Sequence, residues 1–301
     1  MLPIVSVIIP VFNRAGPLAE ALRSVAQQTF PYWEVVVVDD CSTDDSAQVA
    51  LRAGPPGKVR LVRHEKNQGP AAARNTGIRE SRGRYVSFLD SDDTWHPEKL
   101  SRQIELLESD PNTNMVLCAT QTRVVLEGGR ERVRPERQPF AGEDWSEYLY
   151  FADGFAQTNS FLLTRDLATR ILFRPNVRMH EDNLFFLDAG ALGVRYRLIK
   201  EPLSIWNHDD RTDRQSSMDY LARSRRFLSE ARGLLTEKAY LAFQVRYIGP
   251  LLFRENPAGA IKLFIRAVAN GAVRPHHLVN LAVRCIMPDR CVGMLRRLLR
   301  I

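Results

Sequence analysis

Tyr85-Val86-Ser87-Phe88-Leu89-Asp90-Ser91-Asp92-Asp93 is an apolar run that ends in three carboxylates within four residues. The run reads as a strand, and the acids stand where it stops. In open α/β sheets ligands bind in the crevice beyond the carboxyl ends of the strands. Hard cations such as Mg²⁺ or Mn²⁺ take carboxylate oxygens there, often one or two per site together with phosphate oxygens of a substrate. Taken alone, the same acids would also serve to cap the helix that follows Pro97, since Asp favours such positions.

Working outward, the elements alternate. Ile4 to Ile9 is a β-branched run closed by Pro10, Asn13-Arg14-Ala15-Gly16-Pro17 reads as a loop, and Leu18, Ala21, Leu22 and Val25 recur at helical spacing. Trp33 to Val38 forms a second strand ending at Asp39-Asp40, with Ser42-Thr43-Asp44-Asp45 as N-cap candidates for the next helix. Val59 to Arg63 is a third strand, and a helix over Ala71 to Ser81 leads into the acid-terminated fourth. Alternating β and α units predict a mostly parallel sheet with helices on both faces. Beyond it the sequence predicts a helix over Lys99 to Glu108, an apolar stretch at Met115 to Ala119 and an exposed loop or hairpin over Arg123 to Arg137. Strands follow at Ser160 to Leu163 and Val194 to Ile199, with a helix over Glu181 to Ala191. After Ser216 the strand signal ends, and Tyr220 to Asn270 is helical by period. The reading is one α/β domain over 1–215 and a helical extension over 216–301.

Composition restricts the setting. The chain has 301 residues, with 42 basic and 35 acidic side chains and a net charge of +7. Residues 271–301 hold six arginines and one aspartate, so this segment carries +5 and the rest is close to neutral. A basic balance this local points to one anionic contact and gives no case for nucleic acid. Four scattered cysteines, Cys41, Cys118, Cys285 and Cys291, form no CxxC pair and read as free thiols. With no uninterrupted apolar run of ~18 residues, the expected setting is cytoplasmic, with a peripheral contact at the inner face of a membrane.

Four blocks carry a resemblance: Val5-Ser6-Val7-Ile8-Ile9-Pro10-Val11-Phe12-Asn13-Arg14, then Val37-Val38-Asp39-Asp40-Cys41-Ser42-Thr43-Asp44. Asn67-Gln68-Gly69-Pro70-Ala71-Ala72-Ala73-Arg74-Asn75 and Asp90-Ser91-Asp92-Asp93 follow in order. Together they resemble the family 2 inverting glycosyltransferases of the GT-A fold, strongly over residues 1–110 and fairly over 150–210. The resemblance implies a Rossmann-like sheet, a nucleotide-diphosphate-sugar donor with UDP favoured, and a divalent cation, Mn²⁺ or Mg²⁺. It places Pro10, Phe12, Asn13 and Arg14 in the loop that wraps the base, Phe12 stacking on it. Asp40 matches the position that accepts a hydrogen bond from uracil N3-H, and Arg74 a basic residue near the base. Within the DxD motif it implies Asp92 as the metal ligand, Asp90 as a ribose or water-mediated contact and Ser91 at the x position. Asp93 falls to helix capping or support.

His180-Glu181-Asp182-Asn183 resembles the family's "ED" segment, which implies Asp182 as the general base that takes the acceptor hydroxyl's proton. A helix N-terminus would keep Asp182 ionised, while Glu181 beside it would push the other way. His208 resembles the family's late histidine on the metal or pyrophosphate, in an unusually acidic setting, Trp206-Asn207-His208-Asp209-Asp210. The implied activity extends a cell-surface polysaccharide or other glycan, on a glycan or lipid-linked acceptor. In the basic tail, apolar stripes such as Leu278, Leu281, Ala282 and Cys285 suit either an anionic membrane interface or packing on the protein. Two other classes stay open on sequence: a sugar nucleotidyltransferase, for which Val11 to Pro17 offers only one glycine and one arginine as a phosphate loop, and a non-catalytic nucleotide-binding module.

Overall fold

The computed structural model describes residues 2–207 and 220–274. Contacts divide the chain into two units, Met1–Pro139 with Phe155–Ser217, and Phe140–Gly154 with Met218–Ile301. Relative to a junction at 215/216, these units add residues 140–154 to the helical side.

The first unit is a nine-stranded sheet flanked by helices. Its strands are β1 (Val5–Val11), β2 (Trp33–Asp39), β3 (Val59–Arg63), β4 (Tyr85–Phe88), β5 (Thr94–Trp95), β6 (Val116–Val125), β7 (Glu131–Arg134), β8 (Phe161–Thr164) and β9 (Arg195–Asn207). The helices are α1 (Ala15–Ala26), α2 (Ser46–Ala53), α3 (Pro70–Glu80), α4 (Lys99–Ser109), α6 (Arg165–Ile171) and α7 (Glu181–Ala191). Strand order is β3-β2-β1-β4-β8-β6-β9-β5, with β7 on β6. The run β3-β2-β1-β4 is parallel, whereas β8 enters antiparallel between β4 and β6, so the sheet is mixed beyond β4. All seven residues of β1 and all seven of β2 are buried, as expected of strands covered on both faces. Each Val or Ile placed there stabilises by roughly 1.5–3 kcal/mol. Helix α3 lies tight against β1, for a Cβ on Gly77 would come within 2.3 Å of Ile8 Cγ2.

Two strands run longer than the sequence pattern implies, and of the loop and hairpin read for the charged segment the hairpin is the one formed. The apolar stretch at 115–119 opens a ten-residue strand, β6, and Arg123 to Arg137 contains the β6–β7 hairpin. Strand β9 runs on to Asn207 across Lys200-Glu201-Pro202, where irregular pairing opposite Thr120 to Thr122 absorbs the polar interruption.

The second unit contains α5 (Trp145–Tyr150), α8 (Tyr220–Ala231), α9 (Glu237–Phe243), α10 (Gly249–Glu255) and α11 (Pro257–Ala269). A π-helical turn, Gln244–Ile248, joins α9 to α10. Its core is aromatic, with the Tyr150 ring edge-on to Phe243 at 5.1 Å and Phe227 stacked on Phe243 at 4.9 Å. Among the described residues no helix is long and apolar enough to cross a membrane.

Candidate functional site

The site begins where the sheet parts. β1 pairs β2 through Val11, but its pairing with β4 stops at Ile8–Phe88, so the strands separate at the point where the connection order reverses. Pro10, which has no N–H to offer a ladder, occupies the end of β1 in this opening. Phe12 follows with 41% of its surface exposed. Asn13 adopts φ 52°, accepts from Thr43 N at 2.8 Å and donates its own N–H to Ser42 Oγ at 3.0 Å. Arg14 N donates to Ser46 Oγ, tying both loops at the carboxyl end of the sheet together.

Asp40 stands beside them, 3% exposed, with its carboxylate fully engaged. Oδ1 lies 2.7 Å from His64 Nδ1 and accepts from Gln68 N at 2.9 Å; Oδ2 accepts from Gln68 N and, at 2.7 Å, from Gly69 N. Gly69 sits at φ +89°, a backbone that suits glycine, and starts α3. Asp40 therefore shapes the loop that aims Arg74. Its partner His64, which reaches Thr76 Oγ1 at 3.0 Å, was not singled out in the sequence. Its one signal there is position, directly after β3 at the same sheet edge.

The three acids divide sharply. Asp93 is 1% exposed and receives Asn159 Nδ2 at 2.8 Å and Asn207 N at 3.0 Å. It caps no helix, since α4 begins at Glu98 without a side-chain cap. Burial, with Asp90 and Asp92 adding repulsion, pushes its carboxyl well above the usual range. Ser91 is 8% exposed, while Asp90 and Asp92 stay partly open. Asn207 Nδ2 also donates to Asp92 O at 2.9 Å, so the end of β9 is tied to the acid turn. His208, next in the chain, lies outside the described residues, as do Asp209 to Arg214 and residues 275–301. Among the described residues no three His, Cys, Asp or Glu side chains form a group able to hold a metal by themselves.

The fourth element is the start of α7. His180 takes a left-handed φ of 62° as N-cap, which turns Glu181 and Asp182 into the first helical turn. Arg74, 3% exposed, reaches across to them: Nη2 is 2.5 Å from Asp90 Oδ1, and Nη1 is 3.4 Å from Glu181 Oε1 and 3.9 Å from Asp182 Oδ1. Burial opposes the charge on Arg74, but Asp90, Asp182 and Glu181 more than offset it and hold the guanidinium protonated. Arg74 thus joins acids that lie some ninety residues apart in the sequence. Asp182 Oδ2 accepts from Thr158 N at 3.2 Å. Burial dominates at Asp182; Arg74 pulls the other way, Glu181 and Asp90 add repulsion, and the carboxyl is pushed up from 3.8 to about 7. The upward push from Glu181 is the one the sequence predicts; burial, the larger cause, carries no sequence signal.

Residues 157–161 carry the far wall, and the sequence did not single them out. Their backbone is clamped by side chains: Trp95 Nε1 donates to Asn159 O, Gln103 Nε2 to Ser160 O and Ser87 Oγ to Phe161 O, at 2.8, 2.9 and 2.6 Å. Lys99, wholly buried, joins Ser87 to Gln103 and lies 3.9 Å from the Trp95 ring centroid. Among the described residues Gln157 Oε1, Thr158 Oγ1 and Asn159 Oδ1 are buried without a hydrogen-bond partner. Four polar residues in a row before a buried strand were the available signal.

Comparison with known proteins identifies relatives of the chain. The family model described as Glycosyl transferase family 2 matches residues 6–172. The chain is 29% identical to the amylovoran biosynthesis glycosyltransferase AmsB of Erwinia amylovora, over 83% of this chain and 84% of that protein. It is 35% identical to an uncharacterized glycosyltransferase of Rickettsia felis over 62% of this chain, but spans only 30% of that longer relative. The crystal structure of S. aureus TarS 1–349 in complex with UDP-GlcNAc superposes with a TM-score of 0.62 at 21% identity, covering 94% of this chain and 87% of that one.

Proposed function

Because this chain belongs to glycosyl transferase family 2, we propose that it moves a sugar from a UDP-sugar to an acceptor hydroxyl in polysaccharide biosynthesis, by a single inverting displacement. The observation that carries this reading is the ion cluster in which Arg74 joins Asp90 of the acid turn to Glu181 and Asp182 of α7. Similarity to a protein crystallised with UDP-GlcNAc and to one named for amylovoran biosynthesis supports the donor and pathway class.

In this reading Phe12 stacks on the base and Asp40 frames its pocket with the Asn13 and Arg14 loop. Asp182, which titrates near neutral pH, takes the acceptor's proton in its ionised form as the acceptor oxygen attacks the anomeric carbon; the bond from that carbon to the diphosphate oxygen breaks on the opposite face. The buried acceptors at 157–159 meet hydroxyls of the substrates. A donor set of Asp92 and Asp90 fits Mg²⁺ or Mn²⁺ completed by diphosphate oxygens better than a cage made of protein alone, and the negative charge of Asp90 and Asp92, which adds to burial in raising Asp93, favours a cation there. Such an ion would stabilise charge on the leaving diphosphate. His208 as a further ligand, and contact of the 271–301 segment with an anionic membrane surface, belong to the same proposal.

The test is a donor screen with UDP-, dTDP- and GDP-sugars, each with and without Mn²⁺ or Mg²⁺, read as nucleotide release and thermal shift. The expected result is metal-dependent turnover of a UDP-sugar that Asp182→Asn abolishes. Full activity in that variant with an intact fold would remove Asp182 as the base.

A further inference from the structure

The helical unit contains a cleft of about 550 Å³ whose walls differ in kind. One wall is a stripe on α8 at helical spacing, Arg225, Leu228, Ser229 and then Arg232 just past the helix end. The facing wall is the column Tyr240, Gln244, Ile248 and Leu252. In an uninterrupted α-helix a column spaced by four drifts about 40° around the axis at each step. Here the π turn spans Gln244–Ile248, the middle step, and its wider winding returns the column to the same face. Such turns are energetically poor and concentrate at functional sites.

The chemistry is graded from mouth to floor. Ile248 and Leu228 are each 5% exposed, and Leu252 and Leu263 are half-buried, so these four give the cleft a hydrocarbon face beside the polar Gln244 and Ser229. At the rim Arg232 lies 4.5 Å over the Tyr240 ring and is held there by Glu237 at 2.9 Å. Arg225 is exposed at the same rim, with no ion pair to it among the described residues. A cleft of this volume with an apolar floor and few placed polar groups has the usual form of a small-ligand site. The cations at its mouth select negative charge.

We propose that this cleft binds a single-chain amphiphile with a phosphate head, the chain on Ile248, Leu252 and Leu263 and the phosphate at Arg225. The site lies wholly within the helical unit and is separate from the acid cluster. Calorimetry on the full chain with octyl phosphate, octanol and inorganic phosphate tests it, with UDP and Mg²⁺ present to occupy the sheet crevice. Octyl phosphate should bind at least tenfold more tightly than either fragment. Arg225→Ala should weaken octyl phosphate about tenfold and leave octanol unchanged, and Leu252→Trp, which fills the floor, should weaken both. Inorganic phosphate binding as well as octyl phosphate would reduce the site to an anion contact and overturn the proposal. Octanol binding as well as octyl phosphate, or unchanged binding in both variants, would do the same.

Discussion

Arg74 Nη2 lies 2.5 Å from Asp90 Oδ1, and the same guanidinium is 3.9 Å from Asp182 Oδ1, so one buried cation spans the acid turn and the start of α7. The positions it joins are separated by some ninety residues of sequence, and their charges are nevertheless interdependent.

Removing that cation should move the titration of Asp182. Arg74→Met deletes the group that pulls the Asp182 carboxyl down, so the acidic limb of the pH–rate profile should shift above its wild-type position near pH 7. Activity at pH 7 should fall roughly 10–100-fold, more than at pH 9. Equal losses at both pH values would show that Arg74 acts only by packing.

Asp182→Asn should cost about 10²–10⁴ in turnover while nucleotide binding is retained. The same variant tests stability linkage. A carboxyl raised from 3.8 to about 7 binds a proton in the fold that the unfolded chain releases, so the wild type loses stability as pH rises from about 4 through 7. Melting temperatures measured at pH 5 and pH 8 should therefore show the variant gaining on the wild type at the higher pH.

At Lys99 the linkage runs the other way. Burial holds its amine well below the ordinary 10.5, so between the lowered value and 10.5 unfolding takes up a proton and wild-type stability increases with pH across that window. Lys99→Met has no such proton. Its melting temperature relative to wild type should fall as pH is raised from 6 to 10, a trend readable by calorimetry whatever the sign of the offset.

Asp40→Asn keeps the side chain's shape but presents an NH₂ to backbone donors at Gln68 and Gly69. The loss should be about 1–3 kcal/mol, from buried donors left without an acceptor. Denaturant melts would register it, and UDP affinity should drop with it because the same loop orients Arg74.

How much of this was legible in the sequence depends on how far each residue's partners lie from it. Strands β1 and β2 announce themselves because burial on both faces leaves unbroken Val and Ile runs, and Glu181 to Ala191 matches α7 end to end. β9 was read short because Lys200-Glu201-Pro202 mimics a strand end, and only the irregular pairing with β6 shows that the strand continues. Resemblance drew attention to the acid turn, Arg74 and Asp182 separately; that Arg74 pairs with the acids of both segments follows from Asp40 gripping Gly69 and from the placement of α7, which no local pattern encodes. Thr158 and Asn159 carry only the weak signal of a polar run before a buried strand, and Lys99 none; what they do is defined by partners brought together in the fold, such as Asp182 and Trp95, and by burial. Family membership settles the enzyme class that composition and motifs had left open between transferase, nucleotidyltransferase and binding module.

The three consecutive carbonyls of Asn159, Ser160 and Phe161 are each held by a side chain from a different element, β5, α4 and β4. The wall facing Asp182 is thus referenced to the same strand that presents the acids, and not to the exposed β6–β7 hairpin or the polar stretch after it. On the proposed reading, divergence in those outer segments would change which acceptor is admitted while the alignment around Asp182 is kept.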